Sequence, residues 1–337
     1  MKSAQPMWQM RAADKGRSEV LAALRSDGGY VSGEQLSRRL GLSRNAIWKY
    51  VSSLRTYGYI IEASPRKGYC LVTTPDTPYS WEVSSLDGQR WLGGYSVYLP
   101  EVDSTNKLTK ELARQGAPTG LCVVADKQTA GRGRRGRNWV SPPGSGLWFS
   151  LLLRPPMAPS EVPCFSLIAG AVVARAIRQV TGLSAMVKWP NDVLVHGGKV
   201  CGILIEMSAE VEHLNHLVVG IGVNVNLSAN QWPAELRNVA TSLSQESGTK
   251  VRRLPLLHAI LQEMQQWYER LLSVGAGPLL EEAGELSATV GQQVKVVAVG
   301  QQPVCGLAVG IAADGALRVQ ISPGEERLFY AGDVSIR

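Results

Sequence analysis

The sequence predicts an α+β protein of several domains: an N-terminal winged helix-turn-helix, a central mixed α/β domain and a small all-β C-terminal domain. Three observations carry this reading. At 337 residues the chain is long enough for two or three domains of ordinary size. Its excess positive charge is confined to one end: residues 1–75 hold twelve Lys/Arg against five acids, an excess equal to the net charge of +7 of the whole chain. The hydrophobic period also changes along the chain, from short helical runs, to alternating strand and helix, to short strands separated by Gly, Pro and Asp-Gly.

A polar, flexible tail is expected over residues 1–16. RSEVLAALRSDGG then reads as one amphipathic helix stopped at Gly28-Gly29. In SGEQLSRRLGLSRNAIWKYVSSLRTYG, Ser32 and Gln35 make a capping-box pattern, and Gly41 supplies a turn. Ser43 caps a second helix whose Ile47, Val51 and Leu54 point inward, completing a helix-turn-helix signature. YIIEAS-PRKG-YCLV reads as a hairpin, a wing with Arg66 and Lys67 at its tip. The module spans residues 17–76. Its second helix suits a DNA major groove, so Ser43, Arg44, Asn45, Trp48 and Lys49, with Arg66 and Lys67 of the wing, are the candidate DNA contacts. The alternative is a helical packing module with a solvated basic face. Asp76, between Pro75 and Pro78, marks a linker.

Residues 80–278 alternate strand-like and helical runs. GYSVYLPEV, GLCVVADKQ, GLWFSLLLRP and HLVVGIGVNVNL read as strands, STNKLTKELARQG as a helix and SLIAGAVVARAIRQVTG as a long buried helix. MVKWPNDVLVHGGKVCGILIEMSA reads as a hairpin. The mixture predicts a sheet with helices on one face. From residue 288 to 337 five or so short strands are expected.

The run QTAGRGRRGRNW (Gln128 to Trp139) holds four arginines among glycines with no acid inside it. Its letters match G-x-G-x-x-G, but that fingerprint needs a helix directly afterwards, and WVSPPGSG cannot supply one. A P-loop is excluded because Lys199 is followed by Val200. Composition alone leaves open a solvated basic loop or a nucleic-acid patch. Five scattered cysteines argue against a disulfide framework and for a reducing, cytoplasmic setting. The start lacks the apolar stretch of a secretory signal, no apolar run approaches a membrane span, and the four histidines suggest no protein-built metal site.

The arginine run does not stand alone. DSTN (Asp103 to Asn106), QTAGRGRRGRNW, KWPNDV (Lys188 to Val193), GGKVCGILIE (Gly197 to Glu206) and GIGVNVN (Gly220 to Asn226) occur in that order. With the basic N-terminal module, the chain resembles the biotin protein ligases, specifically the bifunctional form that is also the biotin operon repressor. The resemblance implies a central domain like class II synthetases and biotin/lipoyl ligases, and an SH3-like C-terminal barrel. It implies ATP and biotin as substrates, Mg²⁺ accompanying ATP, and biotinoyl-5′-AMP as intermediate and corepressor. The implied partners are a biotin carboxyl carrier protein, operator DNA and a second copy of the chain when the adenylate is bound, with no membrane.

Biotin offers a neutral urea, an apolar bicycle and a carboxylate, and ATP offers phosphates, so the site needs a few polar groups and several cations. By resemblance Ser104, Thr105, Asn106 and Gln128 meet the ureido end, with Arg132, Gly133 and Arg134 over the ligand. Lys199 is placed near the biotin carboxylate, Lys188 near the α-phosphate, and Arg134 on phosphate with Arg132 and Arg137 in support. Asn191 is a phosphate contact, Asp192 a proton acceptor for the incoming amine, Asn224 an adenine contact and Trp139 a cover. The bland readings are helix capping for Ser104 and Thr105, a hairpin-tip lysine for Lys199, a turn for Asp192 and a core residue for Trp139.

Overall fold

The computed structural model describes residues 6–9, 11–84, 91–210, 213–298 and 300–336. Helix α1 (Ala12–Asp27) begins inside the stretch expected as a flexible tail, and ends at Gly28 in the left-handed region that glycine enters without a Cβ penalty. Of that tail, residues 1–5 and 10 lie outside the described residues, while Trp8 packs against the central-domain cluster of Val97, Leu112 and Val123. Helix α2 (Gly33–Leu40) carries the complete capping box: Ser32 Oγ accepts from the Gln35 N–H and Gln35 Oε1 from the Ser32 N–H, each at 3.0 Å. Helix α3 (Arg44–Thr56) is capped by Ser43 and buries Ile47, Val51 and Leu54 completely. Strands β1 (Ile60–Ser64) and β2 (Gly68–Thr73) pair as the wing, with Arg66 and Lys67 exposed at its tip.

The packing of this module runs past residue 76. In the short helix α4 (Ser80–Val83), Trp81 belongs to the winged-helix core and Val83 to the core of the central domain. Glu82 sits between them, fully buried. It accepts from Arg25 Nη2 at 2.7 Å and from the Tyr59 hydroxyl at 2.5 Å, and the Trp81 indole N–H in turn donates to Tyr59. Burial beside this carboxylate pushes the Tyr59 hydroxyl far above its ordinary pKa, so the phenol stays a donor.

The strands of the central domain are β3 (Ser96–Val102), β4 (Cys122–Gln128), β5 (Gly146–Leu153), β6 (Met186–Lys188), β7 (Asp192–Val195), β8 (Gly198–Ala209) and β9 (Leu214–Asn224). They form one sheet in the order β3-β4-β5-β9-β8-β7-β6, with β3 and β4 parallel and the other neighbours antiparallel. The segment from Met186 to Ala209 therefore makes two successive hairpins rather than the single one expected. Helices α5 (Thr105–Arg114) and α6 (Val162–Thr181) lie on opposite faces, which corrects the expectation of helices on one face. Helix α6 is long and apolar enough by composition to cross a membrane, contrary to the sequence reading, but 72% of its most apolar window is buried inside the protein. It shares its face with α8 (Arg253–Val274) and α9 (Gly277–Glu285), after the short α7 (Leu243–Ser247).

Strands β10 (Gln293–Val297), β11 (Val304–Ile311), β12 (Leu317–Ser322), β13 (Glu325–Phe329) and β14 (Asp333–Ile336) form an antiparallel C-terminal sheet. This small β domain is not independent: Val294, Val296, Leu317 and Phe329 belong to the same apolar cluster as α6 and α8. Because Glu82 is the buried counter-ion of Arg25, Glu82→Gln should lower the stability of the N-terminal module by about 1–3 kcal/mol. The check is a chemical denaturation followed by hydrogen exchange in α1 and α3; equal protection in both proteins would refute it.

Candidate active site

The site is built on one face of β8 and β9. Strand side chains alternate, and here the two sets differ sharply. Val219, Ile221 and Val223 of β9 enter the core beneath α6, as do Cys201 and Ile203 of β8. The opposite set is Gly220, Gly222 and Asn224 on β9, with Gly202 and Leu204 on β8, and the register pairs Gly202 with Gly222 and Leu204 with Gly220. These glycines are required by close approach. A Cβ on Gly222 would lie 2.5 Å from Trp139 Nε1, one on Gly202 2.7 Å from the same indole, and one on Gly220 2.1 Å from Asn106 Oδ1.

Above this floor is a cavity of about 510 Å³, within the ordinary range for small-molecule sites. The structure brings all the central-domain residues singled out in the sequence to its walls. At one end, Thr105 donates to Gln128 Oε1 through its N–H (2.9 Å) and hydroxyl (3.2 Å), and Gln128 Nε2 donates to Ser141. Ser104 is buried at the N-terminus of α5, but its hydroxyl makes no capping bond, so the bland reading of that residue fails. Asn106 lines the cavity with its amide already engaged: it donates to Glu206 (2.9 Å) and accepts from Ser150 (2.6 Å). Asn106 thus fastens α5 to β5 and β8. Burial pushes the Glu206 carboxyl up, but hydrogen bonds from Lys110 and Asn106 outweigh it and hold it below its ordinary value.

The arginine run folds back on itself, with Arg132 bridged to Asn138 and Gly133 N–H donating to the Arg137 carbonyl. Arg134 is half-buried and donates to Asn191 Oδ1 at 2.9 Å, and burial draws its guanidinium pKa down from the usual value. Arg135 has φ of 56° and pairs with Asp333 of β14 at 3.0 Å. Arg137 pairs with the same carboxylate at 2.5 Å. Arg137, expected in support of phosphate, lines the cavity and is at the same time paired with the C-terminal sheet. The sequence offered no sign of Asp333, since nothing in β14 marks one acid as special.

Lys188 ends β6 and makes no ion pair or side-chain hydrogen bond among the described residues, although it lines the cavity. Lys199 is 2.7 Å from Asp192 Oδ1, an ion pair without the alignment of a hydrogen bond, and stands 5.3 Å from the centre of the Trp139 ring. The hairpin-tip reading of Lys199 thus gives way to one in which Asp192 is its counter-ion. Asn191 holds its turn by donating to the Ile203 carbonyl. Asn224 donates to the Lys199 carbonyl, while its Oδ1 is buried with no donor. Beyond it, the segment from Leu227 to Ala240, unassigned in sequence, packs Trp232 against Trp148 and brings Leu236, Val239 and Ala240 to the cavity wall.

The residues expected to contact DNA lie together elsewhere. Arg44, Asn45, Trp48 and Lys49 are all exposed on α3, Trp48 at 55%. Arg44 pairs with Glu34 at 2.9 Å, both side chains exposed, so the pair holds only weakly. Ser43 is used as the helix cap.

If the glycine floor supports the indole, Gly222→Ala should destabilise the central domain by about 1–3 kcal/mol through overpacking. Adding Trp139→Ala should then cost less than the sum of the two single changes in a double-mutant thermal denaturation cycle. Strict additivity would show that the two do not touch.

The domain composition is borne out by comparison with known proteins. Residues 17–70 match an HTH domain, 98–224 the biotin/lipoate A/B protein ligase family, and 289–337 the biotin protein ligase C-terminal domain. The chain is 37% identical to the bifunctional ligase/repressor of Bacillus subtilis over 91% of its own length and 94% of that protein. It is 32% identical to the bifunctional ligase/repressor of Escherichia coli, covering 94% and 96%. The biotin protein ligase of Aquifex aeolicus, solved in complex with biotin and ATP, superposes with a TM-score of 0.62 at 31% identity, covering 72% of this chain and 98% of that one. With a winged helix, a ligase domain and the C-terminal domain on one polypeptide, this chain belongs to the biotin protein ligase family, in its bifunctional ligase/repressor form.

Proposed function

We propose that the chain activates biotin with ATP to biotinoyl-5′-AMP, transfers the acyl group to a lysine of a biotin carboxyl carrier protein, and represses transcription at an operator when the adenylate stays bound. The observation that carries this reading is the convergence of Arg134, Lys188 and Lys199, from three separate segments, on one glycine-floored cavity. Both chemical steps develop charge on phosphate or carbonyl oxygens, and cations fixed in a half-buried site stabilise that charge without reorganising.

The ureido end of biotin fits the Ser104–Thr105–Gln128 corner, where donors and acceptors already converge. The glycine floor lets the Trp139 indole and the Asn106 amide lie against the backbone, and these two side chains face the cavity that takes the ligand. The unpartnered Oδ1 of Asn224 suits the exocyclic amine of adenine, with Trp148 and Trp232 behind it. Mg²⁺ would accompany ATP and would supply charge neutralisation on the phosphates beside Lys188 and Arg134. In the first step the biotin carboxylate, drawn toward Lys199, attacks the α-phosphorus; the bond to the β-phosphate oxygen breaks and pyrophosphate leaves. Lys188 and Arg134 meet the charge on the α-phosphate, and Asn191 aims Arg134. In the second step the carrier amine attacks the acyl carbon and AMP leaves. Once Lys199 has turned to substrate, Asp192 is free to take the amine proton.

For repression, adenylate retained by the ligase domain favours a two-fold dimer, which presents two copies of α3 and favours an inverted-repeat operator. The test is incubation with labelled biotin, ATP and a biotin carboxyl carrier domain. Labelled carrier is expected, and Arg134→Ala and Lys199→Ala should each slow biotin-dependent ATP–pyrophosphate exchange about 10²–10³-fold. Exchange with lipoate but not biotin would assign the other acid of the family. Biotin with ATP should also protect the arginine run from trypsin, and identical cleavage with and without them would count against its closure on the ligand.

A further inference from the structure

Away from the cavity, Arg253 is the one cation among the described residues that is buried, its side chain 6% exposed. Its place is unfavourable twice over: a charge removed from water, and a cation in the first turn of α8, where the helix dipole favours an anion. Groups from separate parts of the chain offset this. Asp126 of β4 accepts from Nη1 at 2.7 Å, the Gly146 carbonyl at the start of β5 accepts at 3.3 Å, and Asp76 of the linker lies 3.7 Å from Nε.

Asp76 does more than neutralise charge. Its carboxylate accepts the backbone N–H of Arg253 at 2.8 Å and of Leu254 at 3.1 Å, and Pro255 in the next position has no N–H to offer. The linker thus caps a helix that lies far downstream in sequence and has no side-chain cap of its own. On the other side of Arg253, Asp126 accepts the Gly144 N–H at 3.1 Å. Gly144 belongs to the limb that returns from the arginine run, which Gln128 also holds at Ser141. Arg253 therefore stands between the exit of the DNA-binding module and the root of the loop that walls the active site.

We propose that Asp76 and Arg253 are positioning residues of the ligase site, through which the DNA-binding module steadies the root of the arginine loop and ligand retention is coupled to operator binding. Neither side chain lines the cavity. The proposal rests on the ligase/repressor reading above.

Two variants of the full chain test it. Asp76→Asn keeps a capping oxygen and removes the charge, and Arg253→Lys keeps the charge but lacks the fork that spans two carboxylates. Two quantities are read: kcat and KM for biotin in ATP–pyrophosphate exchange, and affinity for a DNA duplex selected from a random pool by the unsubstituted protein in biotin and ATP, with and without both ligands. Each variant should raise KM for biotin about fivefold or more, leave kcat within about twofold, and shrink the ligand-induced gain in duplex affinity about fivefold. Ligand-free duplex affinity should stay within about twofold. If the unsubstituted protein shows exchange and a ligand-induced gain, and the variants match it in both, the proposal is overturned and the functional reading stands. If kcat and both duplex affinities fall together, Arg253 only supports the fold, and the proposal is again overturned. If the unsubstituted protein shows neither exchange nor gain, the functional reading fails and takes the proposal with it.

Discussion

The structure depends on a constraint of backbone geometry: β8 and β9 must be apolar on one face and nearly bare on the other. Period-two alternation makes both possible within residues 219–224 of β9, with valine and isoleucine under α6 and glycine or asparagine above. Sliding either strand by one residue would put valine into the cavity and glycine into the core, so the register that builds the core also builds the site. The glycines accordingly cost the sheet little. They stand where the flat Trp139 indole and the α5 amide already fill the space that a Cβ would need.

Charge follows a second rule. The arginine run has no acid of its own, and its counter-charges come from distant segments: Asp333 takes Arg135 and Arg137, while Asn191 takes Arg134 as a neutral acceptor. The difference matters for chemistry. Arg135 and Arg137 share the single negative charge of Asp333 and tether the run to the C-terminal sheet, whereas Arg134 has only a neutral acceptor at the cavity wall. The Lys199–Asp192 pair is intermediate, a part-buried ion pair at the cavity wall. The C-terminal sheet thus contributes by holding the outer side of the loop, and its shared core with α6 and α8 makes that hold stiff.

Local signals were legible in the sequence, and remote ones were not. The capping box at Ser32 and Gln35, the cap at Ser43 and the inward triad of α3 are decided by neighbours three or four residues away, and all appear as read. The ordered motifs located the central-domain cavity residues proposed, because these lie at strand ends, at the start of α5 or in the loop between β4 and β5. Helix α8 was missed for a physical reason: its first residues are Arg252, Arg253 and Pro255, against both capping and dipole preferences, and its cap is Asp76. Asp333 and Ser150 were missed similarly, as their roles exist only once β14 meets the arginine run and β5 passes under Asn106. Asp76 itself was read as part of a linker, which it is, though the bonds it makes are those of a helix cap.

That dual use of Asp76 bears on how two functions share one chain. A linker of free residues would let the winged helix move independently of the ligase domain, and retained adenylate would then have no means of influencing the DNA-binding module except by bringing two chains together. Here the connection is anchored at both ends: Trp81 lies in one core and Val83 in the other, Glu82 is buried between them, and Asp76 is bonded to the first turn of α8. Each anchor uses a carboxylate, Glu82 fully buried and Asp76 part-buried, and the partners of Glu82 cannot be exchanged for solvent as readily as those of a surface pair. A change in the spacing of β4, β5 and α8 at the root of the arginine run must therefore be met by the linker as well, since Arg253 is bonded to both.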